Sequence, residues 1–192
     1  MLGSFGAFPS VAARLGSVRG NRTPGASGRP RVTGLSPVFM KSKIVAFYEG
    51  SGTDHRGRSF EEILGFDEDA LEYTHDYIQW LFPLMEPSAF NPWAPVLTQE
   101  DVRAFQASET LRQQLGRAFE RMWSFYGFGE NRRDWVTPGN HNFLRLTRIL
   151  TSTKLLGRQD CTAKLFAALE ELYRTHASVI GPVTYSYWKN AR

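Results

Sequence analysis

Glu72, His75, Asp76 and Gln79 sit within a few positions of one another in a chain of 192 residues. They are the side chains here best suited to chemistry. An imidazole beside a carboxylate can act as a general base, because the carboxylate orients the ring and steadies its charged form. Glu72 and His75 also reproduce the Glu-x-x-His spacing of helical di-iron bundles. Such bundles need that motif twice, and here it occurs once. His55, His141 and His176 stand in no matching context. No metal or other cofactor is therefore assigned. A structural reading stays open beside the catalytic one, in which the same groups form a satisfied polar cluster against a neighbouring helix or loop. The single cysteine, Cys161, excludes an internal disulfide and a cysteine-built zinc site, and reads as a buried, inert thiol. No phosphate-cradling glycine loop, H-E-x-x-H or G-x-S-x-G motif is present.

The elements that must position these residues are helical. In LEYTHDYIQWLFPLMEPSAFNPWAP, residues 71–95, the first half reads as a helix running from an Asp67 cap to Phe82, where Pro83 stops it. At about 100° per residue, Leu71, Ile78 and Phe82 cluster, and Tyr73, Tyr77, Trp80 and Leu81 widen the apolar arc. Glu72, His75, Asp76 and Gln79 fill the remaining stripe. The second half holds Pro83, Pro87, Pro92 and Pro95, which keep it extended or turned. Phe90 and Trp93 read as anchors that bury this loop against the core, either as a lid or as the frame of a pocket. Elsewhere Ile44, Phe47 and Tyr48 begin a short first helix, Ser59 with Glu62 forms a capping box, and Thr98 with Asp101 and then Ser108 give further caps. Leu111, Leu115, Phe119, Met122 and Phe125 make one apolar stripe. Phe143, Leu146, Ile149, Leu150 and Thr153 make a second behind Asn140, and Leu165, Ala168, Leu169, Leu172 and Tyr173 a third behind Asp160. Gly181-Pro182 interrupts the pattern before Tyr185, Tyr187 and Trp188. The expected fold is all-α, a single compact bundle of about six helices with a Pro-rich loop after the central helix.

Composition supports this. The chain is 42% hydrophobic and 14% aromatic, enough for one sizeable core. No apolar run reaches the roughly 18 residues of a membrane span. The net charge of +4 conceals a polarised chain. Residues 1–43 carry seven basic residues and no acid, so a nucleic-acid partner is not expected for the rest. Residues 49–101 balance to −10, and residues 102–192 to +7. Two arrangements fit: halves that face and attract each other, or one surface with an acidic and a basic side. Arg132, Arg133, Arg145, Arg148, Lys154 and Arg158 form a basic run that reads as a solvated helix face or an anionic docking patch. Residues 1–40 are Gly-, Ser-, Pro- and Arg-rich, and are expected to be disordered, transit-peptide-like, or misassigned ahead of a natural start at Met40. The helical domain is then 41–192, and a soluble, cytoplasmic protein is expected.

Several segments resemble a known family. They are FYEGSGTDHRGRSFEEIL, LEYTHDYIQWLFPLMEPSAFNPWAPVLT, the segment ending in MWSFYGF, NHNFLRLTRIL, and the YW pair near the end. Together they are similar to the conserved region of the opioid growth factor receptor family over about residues 45–190. The sequence looks like a short single-domain member, since the repeat-bearing C-terminal extension of larger members is not seen in it. The resemblance implies a non-classical receptor that binds methionine-enkephalin, restrains proliferation, and associates with the nucleus and its envelope. It offers no contact motif to transfer, so candidate ligand-binding residues are chosen by chemistry. Glu72 or Asp76 would meet a peptide amine, Tyr73 or Trp93 an aromatic side chain, and Arg145 or Arg148 a carboxylate, with His75 and Gln79 completing the stripe. The alternatives are an enzyme using His75 with Glu72 or Asp76, and a scaffold that binds another protein through its basic half.

Overall fold

The structure, a computed structural model, describes residues 41–130 and 132–192. The expectation of a disordered, transit-type or misassigned segment at 1–40 lies outside the described residues. Eight helices follow in order: α1 Lys43–Tyr48, α2 Phe60–Leu64, α3 Glu68–Tyr73, α4 Ile78–Leu81, α5 Gln99–Ala107, α6 Glu109–Phe125, α7 Asn142–Leu155 and α8 Gln159–Ala191. Among the described residues there is no strand, only an isolated bridge between Leu84 and Val96. No helix among them is long and apolar enough to cross a membrane.

Local chemistry starts most of these helices. Ser59 Oγ accepts from Glu62 N at 3.2 Å while the Glu62 carboxylate accepts from Ser59 N at 2.7 Å. Thr98 and Asp101 make the same reciprocal pair before α5. Ser42, Asp67 and Ser108 each cap one helix through a side-chain oxygen. Each cap satisfies donors that the first turn leaves free. Gly181, at φ 77° and ψ 155°, breaks α8 just before Pro182, and His176 departs from helical geometry earlier in it. The aromatic residues beyond Gly181 are helical, not a loose tail, and Trp188 is fully buried with Nε1 donating to Phe143 O at 3.2 Å.

Two aromatic clusters hold the core. Phe47, Tyr48, Phe60, Trp80 and Phe105 join α1, α2, α4 and α5, with neighbouring ring centroids 4.8–5.8 Å apart. Trp135, Phe143 and Trp188 tie α7 and α8, which pack along each other. The three apolar stripes read from the sequence are buried, apart from Ala168 and Tyr173, which are half-buried. Cys161 is also buried, and burial pushes its thiol up to about 12.

One expected element is not there. The helix from Asp67 to Phe82 is two helices with a break between, which accounts for part of the difference between about six expected helices and eight. Thr74 caps α3 with φ −91° and ψ 123°, an extended conformation. The cause comes from α7. The guanidinium of Arg145, only 5% exposed, donates to the carbonyls of Leu71 at 2.9 Å, Glu72 at 3.2 Å and Thr74 at 3.0 Å. Tyr77 Oη donates to Leu71 O as well, at 2.9 Å. In an unbroken helix those carbonyls would accept from amides four residues on. Charge-assisted bonds from a buried arginine are stronger than the helical bonds they displace, so the helix yields.

Candidate functional site

The broken segment forms one wall of a groove of about 420 Å³. Ile78 and Gln79 of α4 line it, the Pro-rich loop adds Leu84 and Phe90, and α7 contributes Leu144 and Arg148. His75, His141 and Arg145 complete the end nearest the break. Phe90 and Leu144 are 84% and 56% exposed, so both present apolar surface to solvent.

The loop stands where it does because it folds on itself. Ser88 Oγ accepts from the amides of Phe90 and Asn91 at 3.3 and 3.2 Å, and Asn91 Oδ1 accepts from Trp93 N at 3.0 Å. Leu97 N donates to Leu84 O at 2.8 Å and closes its base. These turns point Phe90 and Trp93 outward, and Trp93 is 73% exposed. The expectation that both rings anchor the loop in the core is therefore corrected. Pro83 and Leu97, at the loop's two ends, are buried instead.

The residues of the polar stripe separate at the break. Glu72 turns to α7, where Oε2 accepts from Asn142 Nδ2 at 3.1 Å and Oε1 lies 3.6 Å from His141 Nε2. Asp76 turns the other way, accepting from Arg58 at 2.7 Å and pairing with Arg56 and His55. Burial works to raise its pKa, but the hydrogen bond and charge of Arg58, with Arg56 and His55 adding, outweigh it, and the carboxyl falls below the usual range. His75 Nδ1 accepts from Arg145 Nη2 at 2.8 Å, since a guanidinium only donates. Neither Glu72 nor Asp76 hydrogen-bonds His75, so the paired-base geometry read from the helical wheel does not form. Gln79 is buried, and in the orientation that satisfies its amide it donates to the carbonyls of His75 and Asp76 at 3.2 and 3.1 Å. Tyr73 is exposed and lines a separate hollow with Arg56, Thr74, His75 and Asp76.

Of the eight candidate residues, the groove therefore gathers His75, Gln79, Arg145 and Arg148, and leaves Glu72, Tyr73, Asp76 and Trp93 outside its lining. It adds Phe90, His141 and Leu144. His141, Leu144, Arg145, Arg148 and Thr151 recur at helical spacing, and that stripe along α7 was the available signal for this wall.

The basic run does not form one face. Arg132 pairs with Glu68 at 2.9 Å, Arg158 with Asp160 at 2.7 Å, and Arg133 donates to Gly127 O at 2.9 Å. Arg145 is buried, which corrects its reading as part of a solvated helix face. Arg117 meets Glu61 at 2.5 Å, and Arg121 donates to the carbonyls of Leu64 and Phe66 at 3.2 and 2.6 Å. The acidic and basic halves meet at the Arg117–Glu61 and Arg132–Glu68 pairs. Among the described residues, no three His, Cys, Asp or Glu side chains converge as cation ligands would.

Comparison with known proteins adds sequence relatives. Residues 47–191 match the family described as the opioid growth factor receptor (OGFr) conserved region. The opioid growth factor receptor of Rattus norvegicus is 41% identical over 112 residues, covering 50% of this chain and 19% of that protein. Its Homo sapiens counterpart is 40% identical over 112 residues, covering 50% and 16%. Opioid growth factor receptor-like protein 1 of Xenopus tropicalis is 32% identical over 121 residues, covering 54% and 23%. The chain thus spans less than a quarter of the length of these relatives. No solved structure matches it.

Proposed function

The chain belongs to the opioid growth factor receptor family across residues 47–191, and from that premise we propose that it is a receptor-type binding module whose groove takes a short peptide. One observation carries this reading. A concave site between α4, the Pro-rich loop and α7 exposes Phe90 and Leu144 beside the polar groups His75, Arg145 and Arg148. Apolar walls with a few convergent polar groups are how protein sites hold small ligands, and the volume falls in the usual range of some 300–1,000 Å³. The rat and human relatives bear the name opioid growth factor receptor, and the peptide class proposed here is that of methionine-enkephalin. Such a peptide offers aromatic and thioether side chains for the walls and charged ends for the polar groups. The nuclear and membrane-associated setting that the family resemblance implies belongs to the same proposal.

The test is an NMR titration of isotope-labelled chain with methionine-enkephalin and a scrambled peptide. Saturable shifts at His75, Phe90, Leu144 and Arg148, absent with the scramble, are expected. Equal shifts with both peptides, or none at millimolar concentration, would sink the peptide reading.

A further inference from the structure

Arg148 is the least satisfied arginine of the groove. Its Nη1 donates to Phe82 O at 3.0 Å, and among the described residues the rest of its fork makes no hydrogen bond. No carboxylate of the described residues lies within ion-pair distance of it, whereas Arg58, Arg112, Arg117, Arg132 and Arg158 each have one. Burial pulls its pKa down to about 10, and Glu86 acts on it only from a distance. Arg148 is half-buried, and a guanidinium partly withdrawn from water without a counter-charge is costly to hold. Its planar fork matches an oxyanion bidentately, and in a peptide that oxyanion is a carboxylate.

The groove has the same character throughout. It is lined by His75, His141, Arg145 and Arg148, and by no acidic residue. This is conspicuous because one wall comes from residues 49–101, which carry twelve acids. Glu72 is turned to Asn142 and His141, Asp76 to Arg58, and Glu86 stays beyond ion-pair distance of Arg148, so no nearby carboxylate reaches that guanidinium. The protein's own residues 1–40 contain no Asp or Glu either, so that segment brings no side-chain carboxylate to the site. Beside the cation stand the exposed apolar surfaces of Phe90 and Leu144. A volume of about 420 Å³ gives room for the last residues of a peptide.

We propose that the groove captures the C-terminal end of its peptide, with the terminal carboxylate on Arg148 and the last apolar side chains against Phe90 and Leu144. This deepens the peptide-binding reading and rests on it. It fixes the polarity of the ligand: the carboxyl end enters and the amine end stays outside.

The experiment compares three probes on the full chain by calorimetry and NMR: methionine-enkephalin, the same peptide as its C-terminal amide, and 3-phenylpropionate. The amide is expected to bind at least tenfold more weakly than the free acid. R148Q is expected to remove that difference and R148K to retain part of it. F90A, at an exposed position, is expected to weaken acid and amide alike. Equal binding of acid and amide to the unmodified chain would overturn the inference while leaving the peptide reading standing. A difference that persists in R148Q would overturn Arg148 as the anchor. Phenylpropionate binding as tightly as the peptide would make this a small-acid site and defeat the peptide reading itself. Failure of all three probes to bind would remove both.

Discussion

Arg145 holds three main-chain carbonyls from one break, together with Asn142 Oδ1 and His75 Nδ1. Replacing it by methionine keeps the buried stem but takes this donor from Glu72 O, Thr74 O and His75 Nδ1, while Leu71 O and Asn142 Oδ1 keep the hydroxyls of Tyr77 and Tyr126. Each buried unsatisfied group costs about 1–3 kcal/mol, so R145M is expected to lose about 3 kcal/mol in urea unfolding. Lysine is not a conservative substitute, because one ammonium cannot match a fork spread over several carbonyls. A loss under about 1 kcal/mol would show that the carbonyls find water instead. His141 gives a pH prediction at the same scale. Burial lowers its pKa, Arg145 lowers it further, Glu72 pulls upward, and His75 lowers it again. The unfolded chain then takes the proton first, so stability contributed by neutral His141 is complete above about pH 6.5 and falls as pH drops toward the folded value. The ring is partly solvated, which keeps the effect small. An NMR titration of the His141 ring should give a midpoint below about 6.5, and a midpoint above that value would contradict the burial argument.

At the scale of elements, the caps were legible in the sequence because they are local. Ser59 and Glu62 need only each other, and so do Thr98 and Asp101. S59A is expected to cost about 1 kcal/mol, read as a lower urea midpoint with unchanged slope. Gly181 with Pro182 also announced its break correctly. An alanine there would touch nothing within 4 Å, so any cost of G181A is backbone strain at φ 77°. That conformation is nearly closed to other residues, and a loss of about 1–3 kcal/mol is expected on thermal unfolding. A neutral G181A would mean that α8 straightens without penalty. What the sequence concealed was the break at 74–77, since Tyr77 is the one local side chain that donates to the carbonyls of α3. The guanidinium that holds the carbonyls of Glu72 and Thr74 stands more than 70 positions away. The outward Phe90 and Trp93 were hidden for a related reason. Hydropathy alone places both rings inside, but the Ser88 and Asn91 turns decide their direction. The groove was half legible: Arg145 and Arg148 were among the candidates, but the wheel drawn for 71–82 assumed a helix that α7 prevents.

For the whole molecule, the charge pattern was readable and its geometry was not. A −10 segment and a +7 segment could have shared one dipolar surface. Instead they meet across the Arg117–Glu61 and Arg132–Glu68 pairs and through Arg121 on the α2–α3 connection. These pairs are largely exposed, and such pairs contribute about 0–1 kcal/mol each. Raising sodium chloride from low to about half-molar, where screening acts within a few ångströms, should lower the urea midpoint by a small but measurable amount. A midpoint that rises with salt would show that repulsion within each half outweighs attraction between them.

The span of Arg145's reach has a consequence for how the protein comes into being. The ribosome delivers residues 71–82 long before it delivers their organiser. Until residue 145 emerges, the carbonyls of Leu71, Glu72 and Thr74 have no guanidinium to draw them out of a helix. The groove is therefore a late product of translation. Nascent chains stalled before Arg145 carry every residue of one wall and none of its shape, and a protease should cut them there freely until the seventh helix arrives.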